Sequence, residues 1–171
     1  KGPLFFADTT VNENPTADEL VEIIGLTANG VRFFDIEPTI AILSYSNFGS
    51  AKGKVPIKTA LATAKAKAQF PDLVIEGEMQ ANVALDEGIQ KENYPFSSLI
   101  NHKANTLIFP DLASGNIAYK LVAEIGNSEA IAPILLGMNK SVHILQLGSS
   151  VREIVNMVAI AVVDAQTTAG E

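Results

Sequence analysis

The sequence predicts an α/β domain of three αβα layers, with a mainly parallel β-sheet covered by helices on both faces. Two observations carry this. Short strand-like apolar runs alternate along the chain with longer segments of helical period. The strand-like runs are also continuously apolar rather than alternating, which is how strands buried on both faces read. No internal repeat, low-complexity segment or flexible linker interrupts the pattern.

Taken in order, Leu4-Phe5-Phe6-Ala7 reads as a first strand, and Thr9 to Pro15 as a polar turn. Thr16-Ala17-Asp18-Glu19 forms a capping box, in which the Thr16 hydroxyl and the Glu19 carboxylate satisfy orphan amides reciprocally. Leu20, Ile23, Ile24, Thr27, Val31 and Phe34 then recur at helical spacing and are expected to face a sheet. Gly25 and Gly30 weaken this helix by about 1 kcal/mol each relative to Ala. Ile40-Ala41-Ile42-Leu43 is a second strand, Ser44 to Lys54 a loop, and Pro56 suits the first turn of a helix running to about Phe70. Leu73-Val74-Ile75 is a third strand, Ala81 to Gly88 a shorter helix and Asn93 to His102 a loop. Thr106 to Phe109 is a fourth strand, followed by a helix from about Gly115 to Ile125. Ile134-Leu135-Leu136 is expected as a fifth strand, with Val142 to Leu145 extending or pairing with the sheet. A second capping box, Ser150-Val151-Arg152-Glu153, opens the last helix. Its residues Val151, Ile154, Val155, Val158 and Val162 make one apolar face, and Met157, Ile160 and Ala161 another. A helix apolar on both sides is built to be covered on both, by a second subunit or a further part of the protein.

Composition narrows the function. The 171 residues are 47% hydrophobic and 18% charged, which is globular rather than disordered. The net charge of −7 argues against a nucleic-acid partner, which calls for excess Lys and Arg. The absence of cysteine excludes disulfides and thiolate metal sites and fits an intracellular, cytoplasmic setting. The longest wholly apolar stretch, Met157–Val163, is too short to span a bilayer. A strand beginning at residue four, with no initiator Met, suggests a piece of a longer protein.

In a parallel sheet, ligands bind beyond the carboxyl ends of the strands. Those ends carry Asp8-Thr9, Ser44 to Ser50, Glu76-Gly77-Glu78 and Pro110-Asp111. Gly49 to Lys54 looks superficially like a phosphate loop, but three residues rather than four separate its glycines and Val55 follows the Lys. No G-x-G-x-x-G follows a strand, so no dinucleotide site is encoded. The five lysines from Lys52 to Lys67 read as a solvated helix face, or alternatively as a phosphate-contacting patch. Asp72, Glu76 and Glu78 could be imagined as metal ligands, although structural hydrogen bonding is the better reading. His102 and His143 read as surface or packing residues, and no Ser-His-Asp group can be assembled. The densest polar stretch, Pro110 to Asn116, runs from a strand end into a helix N-terminus. Such a turn suits an anion or an amide-rich ligand, or is simply a capped connection.

These segments, in order, resemble the phosphate acetyl/butyryltransferases. The resemblance is carried by Phe6-Ala7-Asp8 with Val11-Asn12 and Asn14 to Ala17; by Leu43 to Ser46 with Gly49-Ser50-Ala51; and by Glu76 to Gln80. Lys103-Ala104-Asn105, Ile108 to Asp111 and Gly115 to Lys120 continue it over essentially the whole chain. Ser46 to Ser50, Val155 to Ala159 and Val162 to Thr167 look more narrowly like the hybrid malic enzymes, which fuse a malate-decarboxylating dehydrogenase to a C-terminal phosphotransacetylase-like domain. The resemblance implies an isocitrate/isopropylmalate dehydrogenase-like fold in two subdomains. Residues 1–132 would be the second subdomain and 133–171 a terminal segment and helix returning toward the first.

The resemblance further implies a regulatory domain of an NADP-dependent malic enzyme, inhibited by acetyl-CoA and assembled as a homo-oligomer, a dimer or higher. NADP and a divalent metal (Mg or Mn) would serve the upstream domain, where malate is oxidatively decarboxylated to pyruvate. The implied ligand-binding residues are Asp111, Ser114, Asn116 and Lys120, with Ser46 and Asn47 behind them. The catalytic positions of the family are replaced. Gln146-Leu147 stand where a Ser-Arg pair belongs, Glu124 where a further arginine belongs, Glu153 where the carboxylate is an Asp, and Thr9 where many members have a cleft Cys. Thiolate attack on an acyl phosphate needs a base for the thiol and positive charge beside the phosphate, which the arginine fork supplies bidentately. Losing one such group typically costs about 10²–10³ in rate. A chain lacking both arginines is expected to be inert as a transacetylase, with an active transacetylase and a structural oligomerisation module as the alternatives.

Overall fold

The computed structural model describes residues 2–126, 131 and 133–168. The chain packs as two compact units, Lys1–Tyr119 and Lys120–Glu171. The boundary expected at 132/133 touches residue 132, which lies outside the described residues.

In the first unit the described residues form a four-stranded parallel sheet of β1 (Phe5–Ala7), β2 (Thr39–Leu43), β3 (Val74–Met79) and β4 (Thr106–Ile108), in the order β1-β4-β2-β3. Successive residues of β2 point to opposite faces, and both faces are buried. Ile40 and Ile42, with Ile75 and Ile108, meet Leu20, Val21, Ile24 and Ala28 of α1 (Ala17–Arg32) and Ala62 and Ala66 of α2 (Lys54–Gln69). Ala41 and Leu43, with Leu107 and Phe109, meet Val83 and Ala84 of α3 (Ala81–Leu85) and Leu99 of a 3-10 turn (Ser98–Asn101). The mainly parallel, doubly covered sheet expected from the continuous apolar runs is therefore present.

Local chemistry sets the boundaries. Thr16 and Glu19 make the expected capping box on α1, with Thr16 N donating to Glu19 Oε2 at 2.7 Å. Phe34, expected on that helix, lies beyond its end, and its ring packs on those of Phe5 and Phe33. β3 runs on through Glu76 and Glu78 because both carboxylates are buried with hydrogen-bond partners, a continuation that their polarity conceals. Asp86 divides the expected single helix: its carboxylate accepts from Gly88 N and Ile89 N and opens α4 (Glu87–Asn93). α5 (Leu112–Ile125) starts three residues earlier than its apolar pattern suggests, because Asp111 caps it.

Gly77 shows why one position must be glycine. The β2–β3 register slips from Ile42↔Gly77 to Leu43↔Met79, with Gly77 at φ +153°. A Cβ there would stand 2.8 Å from the Ile42 carbonyl oxygen.

In the second unit α6 (Val151–Thr168) follows the second capping box, with Ser150 N donating to Glu153 Oε2 at 2.6 Å. Neither Ile134 to Leu136 nor Val142 to Leu145 is a strand. A strand exists through its ladder, and no pairing joins either segment to the sheet among the described residues. Leu136, Val142, Ile144 and Leu145 are exposed instead. No described helix is long and apolar enough to cross a membrane.

Candidate functional site

The strand order brings the carboxyl ends of β1, β4 and β2 side by side, so three connections meet at one edge of the sheet. The β4–α5 turn is the tightest. Ser114 N donates to Asp111 Oδ1 at 2.8 Å, and the Ser114 hydroxyl donates to the Asp111 carbonyl at 2.9 Å. Asp111 and Ser114 thus cap α5 with the groups expected to hold a ligand. One turn on, Gly115 admits the chain of β1: a Cβ there would lie 2.3 Å from the Asp8 carbonyl oxygen. Asn116 ties the same two segments together, its Nδ2 donating to the Thr9 carbonyl at 3.1 Å.

The β1–α1 connection wraps the Asp8 carboxylate. Thr10 N, Val11 N and Asn12 N donate to it at 2.7, 3.0 and 2.7 Å, and Asn12 Nδ2 adds a fourth bond at 2.7 Å. Burial pushes the Asp8 carboxyl upward, but these amides outweigh it and hold the group below its ordinary range.

The β2–α2 loop does the same around Glu78. The Ser46 hydroxyl and Gly49 N both donate to Glu78 Oε1 at 2.7 Å, and Ala51 N donates back to Ser46 Oγ at 3.1 Å. Asn47 N donates to Ser50 Oγ at 2.9 Å, and Gln80 N to Asn47 Oδ1 at 2.7 Å. The phosphate-loop likeness of Gly49 to Lys54 therefore has a physical end: amides of this loop are already committed to the chain's own groups. Ser46 needs correcting as a ligand contact. It is fully buried and its hydroxyl holds the loop, whereas Asn47 is partly exposed and keeps its Nδ2.

The carboxylates of Asp8, Glu78 and Asp111 stand at this edge, as do the exposed Lys52 in the β2–α2 loop and Lys54 at the start of α2. Lys58 is its half-buried cation, with Nζ donating to the Pro110 carbonyl at 2.7 Å and to Asn14 Oδ1 at 2.9 Å. Desolvation lowers its pKa, against the opposing pull of Asp111 and Glu19. The other paired lysines of α2 serve neither as a ligand patch nor as a merely solvated face: Lys65 pairs with Asp18 and Lys67 with Glu76. Arg32, in the first unit, pairs with Glu37.

Glu76 and Glu78 do not share a metal site. Glu76 accepts from Lys67 Nζ at 2.6 Å and from Ser98 N and Oγ at 3.0 Å, while Glu78 faces the Ser46 loop. Burial pushes Glu76 upward, yet Lys67 and the Ser98 amide hold it below its ordinary value. Among the described residues no group of three or more His, Asp or Glu is arranged to hold a metal.

The second unit carries the remaining expected positions. Lys120 and Glu124 lie exposed on α5, Gln146 is exposed and Leu147 is fully so. Glu153 caps α6, and its amide hydrogen bond from Ser150 holds its carboxyl low. This unit also assembles a grouping that sequence spacing did not reveal. The buried His143 ring places Nε2 at 3.3 Å from both Ser141 Oγ and Asp164 Oδ2, and Ser141 Oγ donates to the Ala161 carbonyl at 3.1 Å. A proton relay needs the hydroxyl and the carboxylate on opposite ring nitrogens. Here both share Nε2, and Nδ1 is buried without a partner. The cluster ties the segment before α6 to that helix.

Known proteins resemble this chain in sequence and in fold. The family model described as phosphate acetyl/butaryl transferase matches residues 1–162. An NADP-dependent malic enzyme of Haemophilus influenzae is 46% identical over 165 residues, 96% of this chain and 22% of that protein. A phosphate acetyltransferase of Clostridium acetobutylicum is 45% identical over 167 residues, 97% of this chain and 50% of that protein. The structure of a phosphotransacetylase from Streptococcus pyogenes superposes with a TM-score of 0.88 at 40% identity, over 97% of this chain and 49% of that one. This chain therefore spans about half of such transferases and about a fifth of such malic enzymes. With the family model matched over nearly its whole length and its parallel sheet superposing on a family structure, the chain belongs to the phosphate acetyl/butaryl transferase family.

Proposed function

We propose that this chain is a regulatory, non-catalytic phosphotransacetylase-like domain of an NADP-dependent malic enzyme, binding acetyl-CoA as an effector and assembling as a homo-oligomer in the cytoplasm. The observation that carries the non-catalytic part is the missing positive charge at the positions where the resemblance places arginine: Leu147 is fully exposed and apolar, and Glu124 is exposed and acidic. Transfer from an acyl phosphate needs an arginine fork on the phosphate oxygens, and neither side chain supplies one.

The malic-enzyme part rests on likeness: proteins of that name from three bacteria are 44–46% identical to this chain. Malate oxidation, with its NADP and divalent metal, belongs in this reading to an upstream domain. Effector binding needs only a difference in affinity between two states, so a pocket can regulate after losing turnover. Asn47 and Asn116 are the proposed ligand contacts of the first unit, with Asp111 and Ser114 shaping the turn that presents Asn116; Lys120, in the second unit, is proposed on the family resemblance alone.

An active transferase is the second reading, favoured by phosphate acetyltransferases of 41–45% identity. The two are separated by assaying a full-length protein carrying this chain for acetyl-CoA formation from acetyl phosphate and CoA. The regulatory reading expects none above background. Turnover that disappears when Asn116 is replaced would establish the transferase instead.

A further inference from the structure

We propose that Glu78 is the positioning residue of the β2–α2 loop, the group that holds Asn47 where a ligand can reach it; as a statement about binding, this rests on the acetyl-CoA reading above. Glu78 is 3% exposed, yet it enters no ion pair among the described residues. A buried carboxylate without a cation persists only where hydrogen bonds replace its hydration. Both of its side-chain bonds go to one loop: the Ser46 hydroxyl and Gly49 N, each at 2.7 Å on Oε1. Among the described residues its carboxylate makes no bond to the sheet or to a helix, so its contribution is to the loop's shape rather than to the core.

The backbone reinforces the point. Phe48 N donates to the Glu78 carbonyl and Ser44 N to that of Met79, both at 2.8 Å. Gln80 N donates to Asn47 Oδ1 at 2.7 Å and Gln80 Nε2 to the Tyr45 carbonyl at 2.9 Å. Three consecutive residues at the end of β3 thus hold Ser44 to Gly49 from one side. The register slip at Gly77 makes this geometry available, because it leaves Glu78 outside the β2–β3 pairing. Asn47 is held through its Oδ1 with Nδ2 left to donate, and Phe48 sits at φ +49° against the rings of Tyr94 and Phe96.

The roles of shape and charge separate in three variants. Glu78→Gln keeps an oxygen that accepts from Ser46 and Gly49 but loses the charge. Glu78→Ala removes both bonds. Ser46→Ala removes one of the two bonds to Glu78, together with the acceptor of Ala51 N, with little change of volume, and serves if Glu78→Ala does not fold. Two readouts are taken on the full-length protein carrying this chain: amide hydrogen exchange at Asn47 to Ala51, and acetyl-CoA affinity by calorimetry.

The proposal expects Glu78→Ala and Ser46→Ala to speed exchange in that loop while β2, β3 and α2 stay protected. It also expects acetyl-CoA to bind about tenfold more weakly, the loss of one well-placed contact, with Glu78→Gln close to wild type in both readouts. Unchanged loop exchange in Glu78→Ala overturns it. So does a loosened loop with unaltered affinity, and so does a Glu78→Gln protein as impaired as Glu78→Ala, which would make charge the operative property. If wild type binds no acetyl-CoA, the effector reading fails, and the exchange data alone decide whether Glu78 holds the loop.

Discussion

Gly115 lies against the main-chain carbonyl of Asp8, so close that a methyl group built on it would stand 2.3 Å from that oxygen. The obstacle is backbone at the end of β1, which cannot swing aside as a side chain would. Gly115→Ala therefore forces the β1–α1 connection and the start of α5 apart. Overpacking of this kind typically costs about 1–3 kcal/mol, and the backbone obstacle puts this position toward the upper end. Chemical denaturation of the variant against wild type measures it; equal midpoints would show that the two segments are not pressed together.

The Lys67–Glu76 pair makes part of the stability pH-dependent. Glu76 is held below its ordinary value of 4.5, despite burial that pushes it upward, by Lys67 and the Ser98 amide. A carboxyl depressed in the folded state stabilises above its unfolded pKa, and that contribution is lost as pH falls through the folded pKa. Lys67→Met should cost about 1–2 kcal/mol at neutral pH, because Lys67 is half exposed and its pairing partly screened. The difference between variant and wild type should shrink as the pH is lowered below 4.5. A pH-independent difference would locate the effect in packing of the Lys67 chain rather than in its charge.

Asp8 organises its loop through four short bonds rather than through a cation. Asp8→Ala leaves three amides without their acceptor, and hydrogen exchange at Thr10, Val11 and Asn12 should accelerate together. The stability cost should be about 1–3 kcal/mol, less where water reaches the freed amides. Exchange that accelerates at only one of the three would contradict a shared acceptor.

Along α6, Val151, Val155, Val158 and Val162 are exposed at spacings of four, three and four residues, which lines them up as a stripe. An isolated chain presenting that stripe should bind a hydrophobic dye and associate with rising concentration. Val155→Lys with Val158→Lys should reduce both without lowering helix content. Dye binding and mass unaffected by the double substitution would show that the stripe is not the surface responsible.

The elements of the first unit were legible because their signals are local. Continuous apolar strands, the Thr16–Glu19 capping box and the apolar period of α1 each depend on neighbours in sequence. The third strand extends past its apolar signal, since Glu76 and Glu78 look like a strand's end until Lys67, Ser98, Ser46 and Gly49 satisfy them. The local pattern suggests a fifth strand at Ile134 to Leu136 where the structure has none, because apolarity speaks for burial and not for a ladder partner. At the candidate site, family likeness points to Ser46 and Asp111, whereas folding buries Ser46 and sets the partly exposed Asp111 to cap α5. Which residues present donors outward depends on contacts 29 to 107 residues apart, such as Gly49 with Glu78 and Asn116 with Thr9. No local pattern encodes those.

The central claim is that this chain senses rather than catalyses. Its most direct test is malate-dependent NADPH formation by a full-length protein carrying this chain, titrated with acetyl-CoA and repeated after deletion of residues 1–171. The account predicts that acetyl-CoA inhibits the intact protein and that the inhibition disappears with the deletion. Activity indifferent to acetyl-CoA in both proteins would contradict it.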